Sequence, residues 1–181
     1  MKRINLPISD ADLISLTAGD EVELTGVIYT ARDAAHKNLT ELLRSGKSLP
    51  IELSGSAIYY VGPTPPKPGQ VIGSAGPTSS YRMDAYAEPL LKSGLKLMIG
   101  KGPRSEEYKS LLKKYRAVYL SAIGGAAASI AKSVKACRLV AYPELGPEAI
   151  YRLEVENFYA VVTYDAEGGD LFFSGIEKYR K

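Results

Sequence analysis

Short apolar runs that hand over to a cation-bearing segment constrain this chain more than any other feature. The run at 22–29, Val-Glu-Leu-Thr-Gly-Val-Ile-Tyr, leads into Thr30-Ala31-Arg32-Asp33-Ala34-Ala35-His36. Lys96-Leu97-Met98-Ile99 leads into Gly100-Lys101-Gly102. A third cationic segment, Gly76-Pro77-Thr78-Ser79-Ser80-Tyr81-Arg82-Met83-Asp84, opens on a turn-forming Gly-Pro pair. β-branched residues with alternation read as strands, and a strand's exit into a loop or helix is where open α/β sheets gather ligands. Two arginines and a lysine placed there suit a small dianion such as a dicarboxylate.

The remaining punctuation predicts a single α/β domain over 1–181, with several strands and about four helices. Residues 33–43 carry Ala34, Ala35, Leu39, Leu42 and Leu43 at helical spacing, with Asp33 as a candidate cap and Gly46 as the stop. Strands are expected at 57–62, 70–72, 96–99, 117–120, 134–142, 151–155 and 160–164. Helices are expected at 80–91 and 105–115, and a tightly packed one starting at Gly124-Gly125-Ala126-Ala127. The stretch from Pro63 to Gly69 reads as a stiff loop, and 165–170 as a turn before Leu171-Phe172-Phe173.

Composition narrows the function. A net charge of +3 is mild, and the one basic group, Lys109, Lys113, Lys114 and Arg116, falls on an expected helix as a solvated face. Without a base-stacking motif among the thirteen tyrosines, nucleic acid is not the expected partner. No apolar run approaches the ~20 residues of a membrane span, and the first residues lack a signal-peptide core, so a cytoplasmic protein is expected. The single cysteine, Cys137, forms no internal disulfide and cannot alone hold a zinc ion or an iron–sulfur cluster. Any metal chemistry therefore needs a partner chain, and no metal ligand is assigned here.

Thr78 and Arg82 are four apart, so a helix starting at or just after Thr78 puts hydroxyl and guanidinium on one side of its first turn, with Ser79 or Ser80 as cap. Free amides there attract anions. The same pattern also describes an ordinary capped helix with a surface arginine. Arg32 and Asp33 equally describe a surface ion pair. His36, one turn on, is the only histidine and so the only side chain whose ordinary pKa suits proton transfer near neutrality. Lys101 lies between two glycines that let the backbone approach a ligand, without the spacing of a nucleotide P-loop. A dinucleotide fingerprint is also missing, which argues against NAD.

Six segments in order resemble the β subunit of the class I fumarases, the iron–sulfur hydro-lyase family that includes L-tartrate dehydratase. They are the Thr30–His36 segment, Tyr60-Val61-Gly62-Pro63, Gly76-Pro77-Thr78 with Arg82-Met83-Asp84, Ile99-Gly100-Lys101-Gly102, Gly124-Gly125-Ala126-Ala127, and Glu144-Leu145-Gly146-Pro147-Glu148-Ala149. The resemblance implies a three-layer β/β/α fold of the swivelling-domain type. It also implies a fumarase α subunit as partner, whose cysteines ligate a 4Fe–4S cluster that this chain does not bind alone. Carried over by motif, Arg32, Thr78, Arg82 and Lys101 contact the dicarboxylate, Thr78 is the catalytic base, and His36 is a second active-site residue. Ser79 stands where a second threonine is common.

The implied reaction is the reversible hydration of fumarate to (S)-malate. An L-tartrate or mesaconate-type dehydratase subunit is the nearest alternative. The run Arg82-Met83-Asp84-Ala85-Tyr86 and the cysteine-free Ala31–His36 segment look more like the fumarases. A non-catalytic anion-binding module is the alternative from another class. The site face is expected to be an open, shallow basic cleft on which another chain docks.

Overall fold

The computed structural model describes residues 1–123 and 127–180. Among these residues, seven strands and six α-helices follow one another: β1 (Lys2–Asn5), α1 (Asp10–Ser15), β2 (Glu21–Thr30), α2 (Asp33–Arg44), β3 (Ala57–Tyr59), α3 (Ala87–Lys92), β4 (Leu97–Gly100), α4 (Glu106–Tyr115), β5 (Val118–Ser121), α5 (Ala127–Ser133), β6 (Val134–Ala141), β7 (Ile150–Tyr164) and α6 (Leu171–Tyr179). Two 3-10 segments, Tyr81–Tyr86 and Pro143–Glu148, complete the described elements. The result is an α/β fold on one mixed sheet.

Strands β1 to β5 run parallel in chain order, and β7 lies antiparallel to β5, with β6 beyond it. β7 is long enough to pair with β2 as well, from Glu21↔Val161 to Tyr29↔Arg152. Strands β2, β3, β4, β5 and β7 therefore close on one another, and the ends of β2, β3 and β4 curve round one rim.

Burial on both faces explains the continuous apolar runs at β3, β4 and β5. Successive side chains of a strand point to opposite faces. Tyr59, Ile99 and Leu120 accordingly pack inward with Leu24, Ile28 and Phe158 of β2 and β7. Their neighbours Ile58, Met98 and Tyr119 join Leu39, Leu90 and Leu112 of α2, α3 and α4 on the other face. Helix α4 starts where the Ser105 hydroxyl accepts the Tyr108 N–H (3.1 Å). Two of its basic side chains face carboxylates: Lys109 meets Glu106 and Asp170, and Lys114 meets Glu88.

The structure corrects several expected elements. Residues 70–72 form no strand, because the proline-rich loop bonds to itself: Thr64 N–H donates to Ser74 O (3.0 Å) and Gly73 N–H to Thr64 O (3.1 Å). The helix at 80–91 is split into the 3-10 segment and α3. Pro89 has no N–H to donate, so it is tolerated only in the first turn of an α-helix, which starts two residues before it. The strands at 151–155 and 160–164 are one, β7, which absorbs a left-handed Asn157 (φ 52°) near its middle. Leu171-Phe172-Phe173 opens α6, capped by the Asp170 carboxylate on Phe173 N–H (2.9 Å). The expected helix start at Gly124–Ala126 lies outside the described residues.

One glycine is required at the edge of the closure, where β2 shifts register against β7 and the chain leaving β1 comes close. Gly26 sits at an irregularity in the β2–β7 register with φ 129°, and a Cβ there would lie 2.7 Å from Leu6 O. Positive φ and a backbone clash both penalise any side chain. Gly26→Ala should therefore cost on the order of 1–3 kcal/mol in urea unfolding, the scale of one strained backbone residue. A midpoint equal to wild type would show that the closure tolerates a Cβ at this position.

Candidate active site

Arg32 lies two residues past the end of β2 and is the N-cap residue of α2, without a side-chain capping bond. Asp33, the expected cap, is instead the first helical residue, and its carboxylate is turned to another partner. Arg82 Nε donates to Asp33 Oδ1 (2.8 Å) and Arg82 Nη2 to Asp33 Oδ2 (3.1 Å), a two-pronged pair across 49 residues of sequence. Arg82 Nη2 also donates to Thr78 Oγ1 (3.2 Å). Hydroxyl and guanidinium thus meet as the four-residue spacing predicts, although Thr78 precedes the 3-10 segment rather than opening a helix.

Ser80 does not cap that segment with its side chain. Its hydroxyl donates to Thr78 O (3.2 Å) and accepts the Lys101 N–H (2.9 Å). The Ser80 N–H donates to Lys101 O (3.3 Å), and Ser79 forms a parallel bridge with Lys101. Gly100 makes this approach possible, since a Cβ there would lie 2.0 Å from Ser80 Oγ. Thr78 is anchored from the other side by its N–H on Tyr60 O (2.9 Å), just past the end of β3. The Gly76 segment therefore does not follow a strand, as the sequence pattern implies. It is laid across the ends of β3 and β4 by these bonds.

Contacts thus run from Arg32 through Asp33, Arg82 and Thr78 to Lys101. All of them lie on an open face: the Arg82 and Arg32 side chains are 36% and 27% exposed, and Lys101 is exposed. Glu148 closes the Arg32 end, with Oε1 3.2 Å from Arg32 Nη2 and Oε2 accepting the Ala34 N–H at 3.4 Å. That carboxylate takes the place at the N-terminus of α2 where an anion is favoured. The hydrogen bond from Arg82 is the main cause that holds the Asp33 carboxyl below its usual range. Three cations meet two carboxylates, and among the described residues Lys101 is the cation without an ion-pair partner.

His36 lies beneath this face, 1% exposed. Its ring packs edge-on against Tyr60 with centroids 5.2 Å apart. Nδ1–H donates to Arg32 O (2.9 Å), which leaves Nε2 bare, buried and without a partner among the described residues. Burial pushes its pKa down to about 4, and the hydrogen bond to Arg32 O offsets only part of that. At neutral pH the ring is therefore uncharged, and its Nδ1–H holds the Arg32 carbonyl.

Glu148 was not legible as a site residue, since nothing local joins it to a helix 114 positions away. Asp84 and Arg104 also carry no site signal in the sequence, although Asp84 ends one cation-bearing segment and Arg104 lies two residues beyond another.

Comparison with known proteins gives this geometry a family. The family described as "Fumarase C-terminus" matches residues 1–175, and the chain belongs to it. The chain is 41% identical over 180 residues to the anaerobic class I fumarate hydratase of Escherichia coli K12, covering 97% of this chain and 33% of that protein. It is 41% identical over 157 residues to fumarate hydratase 2 of Leishmania major, covering 85% of this chain and 28% of that protein. The chain thus spans about a third of the length of these fumarases. A protein of Methanocaldococcus jannaschii named "Putative L(+)-tartrate dehydratase subunit beta" is 40% identical over 171 residues, 91% of this chain and 88% of its own.

A single histidine makes the buried ring easy to observe. Its proton resonances should titrate with a midpoint about 4. Because the folded pKa lies below the ordinary 6.5, the unfolded chain binds the proton more readily between those values. Stability should therefore be fully present above pH 6.5 and fall as the pH drops toward 4, by on the order of 3 kcal/mol. His36→Asn, which keeps a donor for Arg32 O, should flatten that slope in urea unfolding. A midpoint near 6.5, or an unchanged slope in the variant, would contradict the buried neutral ring.

Proposed function

We propose that this chain is the β subunit of a class I fumarate hydratase, interconverting fumarate and (S)-malate together with an α subunit. The observation that carries the reading is the Arg82 guanidinium, fixed by Asp33 and donating to Thr78 Oγ1, with Lys101 bridged alongside at Ser79. In this reading 1–181 is one catalytic-type domain in the cytoplasm. Support for a swivelling-type β/β/α arrangement comes from the closure of β2 on β7 and from α2, α3 and α4 covering one face of β3–β5.

The 4Fe–4S cluster of this proposal belongs to the α subunit. This chain's donor set does not fit one: Cys137 is a lone thiol on β6, pushed up in pKa by burial. Among the described residues no group of three or more His, Cys, Asp or Glu could hold a metal ion. No helix among them is long and apolar enough to cross a membrane.

What this chain supplies is charge in fixed positions. Removing a proton beside a carboxylate builds a second negative charge on that group, so preset cations stabilise the transition state more than the ground state. Lys101 is free for that role, and Arg82 keeps Nη1 without a hydrogen bond among the described residues. A two-pronged grip on substrate by Arg82 is not available while its fork holds Asp33. Its Nη2 acts instead on Thr78, where a donor to Oγ favours the deprotonated hydroxyl that a base must become. Arg32 binds the second carboxylate end once Glu148 yields, and neutral His36 fixes the Arg32 backbone from below.

A second reading, an L-tartrate dehydratase β subunit, is favoured by one observation. The relative with that name matches over 88% of its own length, whereas the fumarases match over about a third. Anaerobic co-expression with candidate cluster subunits, assayed with fumarate, L-malate, mesaconate and L-tartrate, separates the readings. Hydration of fumarate at the highest kcat/KM supports the first, and preferred dehydration of tartrate replaces it with the second. Inactivity on all four in a cluster-loaded complex leaves a non-catalytic anion-binding module.

Two further outcomes are expected. The isolated chain should fold, bind no iron on anaerobic reconstitution and form no malate; one cluster per chain would refute the division of labour. In the complex, Arg82→Lys should lower kcat/KM by roughly 10²-fold or more, the scale of losing a preorganised donor, because lysine cannot hold Asp33 and Thr78 together. Its melting temperature should change little, since partly exposed ion pairs contribute little to stability. Near-wild-type kinetics would reduce Arg82 to a surface charge.

A further inference from the structure

Directly under the site lies a buried cation that the chemistry above does not use. The Arg104 side chain is fully buried, and Nη1 and Nη2 have no hydrogen-bond partner among the described residues. Its guanidinium carbon lies 3.5 Å from the centroid of the Tyr108 ring and 4.7 Å from that of Tyr119. Aromatic faces offset part of the desolvation, but a guanidinium with two unpaired nitrogens remains a costly group to bury. A leucine would fill the same space without that cost, so the polar connection of Arg104 is what distinguishes it.

That connection is to Asp84. Arg104 Nε donates to Asp84 Oδ1 (2.5 Å), and the Ser105 N–H donates to Asp84 Oδ2 (2.9 Å). Asp84 stands two residues after Arg82 in the 3-10 segment, and Arg104 three residues after Lys101. Between Lys101 and Arg104 the chain turns through Gly102, with φ 79°, a conformation that does not by itself hold the loop. The Ser80 bonds fix only the backbone of Lys101. The carboxylate of Asp84 ties down the far side of the loop and the start of α4 together.

We propose that Arg104 and Asp84 are positioning residues: their buried ion pair locks the turn carrying Arg82 to the loop carrying Lys101 and so sets the spacing of those two cations. The catalytic consequence rests on the hydro-lyase reading, whereas the lock itself does not. Neither residue touches the site face, so each acts through its neighbours in the chain.

Two measurements test the two parts. In the isolated chain, Asp84→Asn preserves shape while weakening both bonds. Amide hydrogen exchange should quicken at least tenfold at Ser105 and across 101–105, with α2 and β2 unchanged. Unchanged exchange at Ser105 would overturn the lock. In the reconstituted complex, Arg104→Lys and Asp84→Asn should each lower kcat/KM by about 10- to 100-fold, the effect of a displacement near 1 Å. In a Lys101→Met background the same changes should cost less than about threefold, because the group they position is gone. A merely structural role would give the full loss in both backgrounds, and that result would also overturn the proposal. If the wild-type complex acts on no dicarboxylate, the hydro-lyase reading fails, and the exchange measurement on Asp84→Asn alone decides the lock.

Discussion

The double pairing of β7 is the constraint on which the rest depends. A strand that hydrogen-bonds β5 along one stretch and β2 along another leaves an otherwise open parallel sheet no free course. The strand exits at Thr30, Tyr59 and Gly100 then lie round one rim: those of β2 and β4 carry Arg32 and Lys101 to it, and the Tyr60 carbonyl just past β3 receives the Thr78 N–H. Parallel strands all point their carboxyl ends the same way, which is the general reason that ligands collect on that side. Here the closure adds curvature, so segments from separate strands come within hydrogen-bond reach. Gly26 and Gly100 are the places where this closeness leaves no room for a side chain.

The rim is assembled by hydrogen bonds before any ligand arrives. Asp33 holds Arg82, Arg82 holds Thr78, and Ser80 ties Thr78 to Lys101. Glu148 does the same for Arg32. Placing carboxylates on both arginines lowers the repulsion among three cations and keeps their side chains in fixed rotamers. The same pairing means that any anion reaching Arg32 would first have to displace Glu148, whereas Lys101 is without an ion-pair partner among the described residues. Ion pairs this exposed contribute little to stability, so their value lies in geometry.

Much of this was legible in the sequence for physical reasons. Strands β3, β4 and β5 are buried on both faces and so read as apolar runs, and α2 shows its helical period because one face is buried. Thr78 does lie beside Arg82, as the four-residue spacing expects, although it precedes the 3-10 segment rather than sharing a helix with Arg82. Other features have no local signal. β1 is a short edge strand, and α1 is only six residues, with one buried side chain. The join of 151–155 to 160–164 depends on pairing with β2, which no periodicity records. The sequence-level emphasis on His36 as a titrating group rested on its ordinary pKa, and burial beneath Tyr60 changes that value. Asp33 was expected as a cap and is instead drawn away by a guanidinium distant in sequence.

Burying Arg104 under such a rim makes physical sense only if position matters more than stability. A domain held by two apolar clusters does not need an ion pair whose cation keeps two nitrogens unsatisfied. A loop that turns through a glycine and carries an unpaired lysine gains order from one, beside the bond from the Arg104 N–H to the Tyr164 hydroxyl (3.2 Å). The short bond from Arg104 to Asp84 sits where the helix α4, the Arg82 turn and the Lys101 loop meet. An open face must keep its charges aligned while exposed to water. The rigid members of this site are accordingly the ones below the surface, and the exposed side chains inherit their placement from them.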